Sequence, residues 1–198
     1  MKLLFKVLLI GILSVAVSSI EVGESIPSDV SLHVGFPPEL VPLKERVAGK
    51  NVLIVGLPGA FTPTWSSRQV PGYLENVDAL KAVGVDEVLI YCVNDGAVMM
   101  AWAEDQGVPE DGLIKLMGDP YGEVTRQLDM ELTAAGPKRK GLIDRCKRFA
   151  LYSVDGVVKI VRIAESPEDP AGDDFPDVTL AEAMIDAIKA FNSASDEL

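Results

Sequence analysis

Two apolar runs constrain the fold more than any other feature of this chain. Asn51 to Gly56 reads NVLIVG and Glu87 to Val93 reads EVLIYCV. Neither alternates polar with apolar residues, so each predicts a strand buried on both faces rather than one open to water. Between them Tyr73, Leu74, Val77 and Leu80 recur at helical spacing over Tyr73 to Ala82, with Gly84 as a stop. After the second run, Asn94-Asp95 offers a cap for a helix carrying Val98, Ala101 and Trp102. Leu113 to Met117 predicts a short third strand, and Asp119-Pro120 predicts a helix opening there and running through Leu128. Arg148 to Val154 and Val157 to Ile163 flank Asp155-Gly156, a strong hairpin signal. A Pro/Asp-rich loop, Ser166 to Asp177, leads to a last helix, Thr179 to Phe191, with Leu180, Met184, Ile188 and Phe191 on its apolar face. The order predicts a mixed α/β sheet flanked by helices, parallel crossovers first and an antiparallel hairpin at one side. A thioredoxin-like fold requires this order, and other α/β folds also admit it.

The two ends read as addresses. Met1-Lys2 and Lys6 precede an apolar stretch, Val7 to Val17, and Ala16-Val17-Ser18 supplies small residues for cleavage. Residues 1–18 are therefore expected to be a secretory signal peptide. The competing reading, a retained anchor, is disfavoured because the run is short for a hydrocarbon core of ~30 Å. Ser195-Asp196-Glu197-Leu198 resembles the KDEL retrieval signal, with Ser first. The expected organisation is a signal peptide (1–18), one domain (19–192) and a tail with that signal (193–198). The expected location is the lumen of the endoplasmic reticulum, with a KDEL-type retrieval receptor as a partner.

A net charge of −12 with no basic patch argues against nucleic acid and anionic membranes as partners, and removal of the signal would leave no membrane segment. Two cysteines, Cys92 and Cys146, and one histidine, His33, leave little from which to build a metal site or a Ser-His-Asp triad. No metal and no cofactor are expected. His33 is read as a surface or strand residue. Cys92 falls in a buried strand, where cysteine acts as a small hydrophobe. Cys146 sits in Arg145-Cys146-Lys147-Arg148, and neighbouring cations lower a thiol's pKa, so it is a candidate redox thiol. An inert cysteine beside basic residues is the preferred reading of the same stretch.

The most distinctive run, PGAFTPTWSSRQVPGY from Pro58 to Tyr73, is a rigid turn feeding a helix start. Together with GVDEV (Gly84 to Val88), VND (Val93 to Asp95), Trp102, GDP (Gly118 to Pro120) and KRFALYSVDG (Lys147 to Gly156), it resembles the type II, atypical two-cysteine, peroxiredoxins. The resemblance covers roughly Ile20 to Phe191 and implies a thioredoxin-like fold. In that family a cysteine in the first helical turn is held as thiolate by free N–H groups and the helix dipole. It displaces one oxygen of a peroxide, while a Thr hydroxyl and a distant Arg hold the substrate. Carried onto this chain, Thr62 matches the Thr, Pro58 and Pro63 match the pocket prolines, and Arg148 matches the Arg. The position of the peroxidatic cysteine is Trp65. The histidine often found four residues later is Gln69, and no cysteine follows Ala164 to act as a resolving thiol.

An indole cannot ionise near neutral pH and offers only an N–H donor. The chain is therefore expected to lack thiol peroxidase activity, with Trp65 filling the pocket and Thr62 and Arg148 as remnants, packing or cation–π partners of the indole. A binding or structural role follows, with a possible homodimer through the face of the former site, to which the loops near Phe61 and Trp102 would contribute. The alternative is an active glutathione- or thioredoxin-type peroxidase reducing hydrogen peroxide and alkyl hydroperoxides. It would use Cys146, or a cysteine or selenocysteine at a misread position 65, and only then would a peroxide and a thiol reductant be partners. A third reading, an unrelated luminal α/β binding module, requires the ordered motifs to be accidental. In the sheet the family implies, NVLIVG lies between the strands near Cys92 and Arg148, which argues against a Cys92–Cys146 disulfide.

Overall fold

The computed structural model describes residues 19–63, 65–166, 168–172 and 176–196. The expected signal peptide (1–18) and Glu197-Leu198 of the expected retrieval signal lie outside the described residues. The strands are β1 (Ser31–Val34), β2 (Glu39–Pro42), β3 (Asn51–Leu57), β4 (Glu87–Cys92), β5 (Ile114–Gly118), β6 (Phe149–Val154) and β7 (Val157–Ile163). The α-helices are α1 (Leu43–Val47), α2 (Val70–Glu75), α3 (Val77–Ala82), α4 (Gly96–Asp105), α5 (Glu123–Gln127), α6 (Ala135–Arg139) and α7 (Ala181–Asp196). One seven-stranded sheet has the order β2-β1-β5-β4-β3-β6-β7.

The two apolar runs are its centre. β3 pairs in parallel with β4, and β4 in parallel with β5. On its other side β3 pairs antiparallel with β6, which turns back as β7. The hairpin turn forms where expected: Asp155 and Gly156 both take positive φ, 48° and 72°, the conformation a two-residue primed turn needs. Successive residues of β3 then feed opposite layers. Leu53, Val55 and Leu57 pack with Tyr73, Leu80, Trp102, Met184 and Ile188 of the helices on one face. Val52 and Ile54 pack with Leu32, Leu43, Val124 and Phe149 on the other. This is the mixed, helix-flanked, thioredoxin-like sheet the sequence predicts.

Three local expectations are corrected. The helix expected from Asp119 begins at Glu123, behind Gly122 at φ 65°. The Asp119 carboxylate reaches across that gap, accepting from the Val124 and Thr125 amides at 3.3 and 2.9 Å and from the Thr125 hydroxyl at 2.8 Å. The helix expected over Tyr73 to Ala82 is two helices meeting at Asn76, whose φ and ψ of −105° and 15° leave the α region. The final helix starts at Ala181, so Leu180 precedes it, and a 3₁₀ turn, Pro176–Thr179, leads into it. Ser195 and Asp196 are its last turn.

Candidate functional site

The motif loop leaves the C-terminal end of β3. Gly56 is needed just before it: a Cβ there would lie 2.1 Å from a ring carbon of Phe149, the partner of Gly56 across the β3–β6 ladder. Pro58 is buried and Pro63 exposed. Phe61 holds φ at 59°, which points its half-exposed ring onto Trp102 of α4 at 6.3 Å between centroids. The Thr62 hydroxyl turns back to donate to the Gly59 carbonyl at 2.9 Å. Trp65 begins a π-helical turn, Trp65–Gln69, that runs directly into α2. Its backbone is thus at the helix start that the motif predicts. Its side chain lies outside the described residues, and with it the expectations of a filled pocket and an indole partnership with Arg148.

Arg148 ends the loop before β6 and is fully buried. Its carbonyl accepts from the Ala164 amide at 3.0 Å, tying the end of β7 to the same place. The ladder carries Phe149 opposite Gly56, which brings Arg148 beside the root of the motif loop. Sheet register therefore brings the backbone of Arg148 to the root of the loop that carries Pro58 and Thr62, some ninety positions away in sequence.

A clasp between Asn94 and Arg145 fixes the loop. Asn94 Oδ1 accepts from the Ala60 amide at 3.1 Å and from Arg145 Nη1 at 2.8 Å, and Arg145 Nη1 also reaches the Pro58 carbonyl at 3.5 Å. Asp95 alone caps α4, accepting from the Val98 amide at 2.9 Å, so Asn94 is not half of a cap as the sequence suggests. One signal in the sequence bears on it. Parallel neighbours end at the same edge of a sheet, so a polar residue just after β4 sits beside the loop after β3.

Behind the site a second contact seals the helix. Gln69 Nε2 donates to the Thr179 carbonyl at 2.8 Å, and the buried Tyr73 hydroxyl donates to the same oxygen at 2.7 Å. Gln69 and Tyr73 are four apart, on one helix face. Gln69 Oε1 is buried with no partner among the described residues.

The placement of Cys146 agrees with the inert cysteine preferred from the sequence and not with the candidate redox thiol. The residue is fully buried and its Sγ donates to the Leu57 carbonyl at 3.0 Å. Burial pushes its pKa well up, Cys92 and Asp119 add to the rise, and Arg145 opposes it only weakly. Cys92 is equally buried and also pushed up by burial. Both thiols are free, and β3 lies between β4 and β6 as expected. His33 lies in β1, edge-on to Tyr121 at 5.7 Å. Among the described residues no group of three or more His, Cys, Asp or Glu could hold a metal, and no helix is long and apolar enough to cross a membrane.

A family model described as Redoxin matches residues 21–185. The chain is 38% identical over 156 residues to "Peroxiredoxin-2E-2, chloroplastic" of Oryza sativa subsp. japonica, covering 77% of this chain and 68% of that one. It is 43% identical over 121 residues to "Peroxiredoxin-2B" of Arabidopsis thaliana, covering 61% and 72%. Among solved structures it is similar to reduced Prx3 of Vibrio vulnificus in complex with hydrogen peroxide, with TM-score 0.74, 33% identity, and 87% and 98% of the two chains covered.

Proposed function

The chain belongs to the redoxin family and, within it, to the peroxiredoxins, and from that premise we propose that it is a pseudoenzyme of the type II branch. It keeps the peroxide-binding loop and has lost the group that reacts. The observation that carries this reading is the pairing of Trp65 with two buried thiols. The position opening the motif helix holds a side chain that cannot form a thiolate, and burial keeps both cysteines of the chain protonated. Fold alone does not confer the reaction. The function is then binding or structural, exerted through the intact scaffold. Peroxide consumption by the purified protein with a thiol reductant tests it: turnover above the buffer rate sustained over many cycles would overturn it.

The proposed assembly is a homodimer through the face of the former site. Phe61, 51% exposed, and Tyr121, 69% exposed, follow the C-terminal ends of β3 and β5 and offer that face apolar surface. The proposed location is the lumen of the endoplasmic reticulum, supported by the apolar stretch Val7 to Val17 and by Ser195 to Leu198.

A second reading rests on how much of the pocket persists. Pro58 and Thr62 sit on a clasped loop, and Arg148 directly precedes the strand that pairs with its root. If position 65 were read as cysteine or selenocysteine in the protein, that pocket would reduce hydrogen peroxide or alkyl hydroperoxides. Independent reads of the codon and the mass of the peptide spanning Trp65 separate the two readings.

A further inference from the structure

The net charge of −12 is spread unevenly around the former site. Residues 132–147 form one excursion from the fold, closed at its base. There the Leu132 amide donates to the Arg145 carbonyl at 2.8 Å, and the Lys147 amide to the Met130 carbonyl at 2.7 Å. The excursion carries Lys138, Arg139, Lys140, Arg145 and Lys147 against Asp144 alone. Residues 164–180, between β7 and α7, carry Glu165, Glu168, Asp169, Asp173, Asp174 and Asp177 and no Lys or Arg.

These two segments flank the motif loop on opposite faces of the sheet. The excursion is rooted in the layer of Met130 and Cys146, and its Arg145 takes part in the clasp. The acidic segment ends over the layer of Tyr73 and Ala181, where Asp177 pairs with Arg68 of the motif turn at 3.1 Å. Each of the three segments turns an apolar side chain outward: Ile143, 61% exposed, on the excursion, Phe61 on the loop, and Val178, 44% exposed, on the acidic segment. Lys147 is engaged by Glu165 at 3.0 Å. Lys138, Arg139, Lys140 and Glu168 are exposed and make no ion pair among the described residues.

Two copies that meet face to face are related by a twofold axis lying in the plane between them. If that axis ran from the basic flank to the acidic one, each flank would meet its own kind. If it ran across that line, each basic flank would meet an acidic one, and symmetry would make the contact twice. Like charges brought together across an interface cost several kcal/mol, so charge selects the second arrangement. We infer that the occupant of this face is a second copy held in that orientation. Lys138, Arg139 and Lys140 then meet the partner's Glu168 and the partner's Asp177, Ile143 meets the partner's Val178, and Phe61 lies between the two charged contacts. The inference rests on the homodimer proposed above and adds its orientation and the groups that fix it.

Sedimentation equilibrium of the purified protein and of charge-reversed variants tests it. The protein should dimerise, with Kd rising at least about tenfold between about 20 mM and about 500 mM NaCl as the ion pairs are screened. K138E/R139E/K140E makes both flanks acidic and E168K/D177K makes both basic, each at exposed positions only. Each variant alone should self-associate at least about tenfold more weakly than the native protein. Mixed in equal amounts, they should form a one-to-one heterodimer at native affinity or tighter, because both contacts are then complementary. K44E/K81E/K189E, with the same change of net charge at exposed positions on other elements, should dimerise as the native protein does. A native protein that stays monomeric would remove the homodimer and this inference with it. A dimer indifferent to salt and to both flank variants, or a mixture without heterodimer, would overturn the orientation and leave the homodimer standing.

Discussion

Cys92 and Cys146 should be nearly silent toward a thiol reagent while the protein is folded, and the extent of that silence follows from where they sit. Both side chains are fully buried. An ordinary thiol, with a pKa of ~8.5, is a few per cent thiolate at neutral pH. Burial pushes both of these up from their ordinary value, and each unit of rise removes a further factor of about ten. The reagent must also wait for the core to open, and an opening cost of only ~4 kcal/mol, less than typical global stability, slows labelling about a thousandfold. Ellman's reagent should therefore label the native protein at less than about a thousandth of the rate seen in guanidinium chloride, where both thiols become available. The same burial gives a pH dependence. A folded-state pKa raised above the unfolded value means the folded chain keeps a proton that the unfolded chain releases. The stability from this is complete below ~8.5 and declines as pH rises, by up to ~1.4 kcal/mol per pH unit for each thiol. Denaturant titrations between about pH 8.5 and 10 should show this slope, and a C92A/C146A variant should show a shallower one whatever its starting stability. Native-state labelling at near the unfolded rate, or an alkaline slope unchanged in the variant, would refute the argument.

Two further outcomes follow from packing. Gly56→Ala places a methyl group 2.1 Å from the Phe149 ring, with both residues in the buried centre of the sheet. It should cost ~2–3 kcal/mol and lower Tm by about 5–10 °C by calorimetry. Tyr73→Phe and Gln69→Met each remove one of two donors to the Thr179 carbonyl. Each should cost about 1 kcal/mol or less, Gln69→Met least because it also deletes the unpartnered Oε1. The double variant strips both donors, so denaturant unfolding should show a coupling of ~1 kcal/mol or more, whereas additivity would show that the carbonyl finds another partner.

How far the sequence carried depended on what each segment buries. β3 and β4 were legible because strands covered on both faces must be apolar at every position, and both are. β1 and β2 were not. Each has four residues, β2 has no buried residue, and only Leu32 of β1 is fully buried, so neither shows a periodic pattern. The break at Asn76 escaped because hydrophobic spacing continues through it from Tyr73 to Leu80. At the candidate site, the loop that carries Pro58 and Thr62 and the strand start after Arg148 were legible as places in the fold, since the motif is local and the register sets β6 beside β3. The clasp was not: Asn94 and Arg145 are 51 residues apart and meet only because β4 ends beside β3. Cys146 shows the limit of reading charge from neighbours in sequence. Arg145 and Lys147 flank it, yet the side chain turns inward to the Leu57 carbonyl, and burial outweighs the lowering by a backbone hydrogen bond and Arg145.

The measurement that tests the central claim most directly compares the protein with its Trp65→Cys variant, each treated with hydrogen peroxide and dimedone and analysed by intact mass, with peroxide consumption followed in parallel. The loop, its clasp and Arg148 remain in place in both. The account predicts that the native protein gains no sulfenic acid adduct and consumes peroxide at the buffer rate. The variant should gain one adduct at position 65 and consume peroxide at least about a hundredfold faster, as a thiolate at that helix start requires. Consumption by the native protein at a rate close to the variant's would contradict the account.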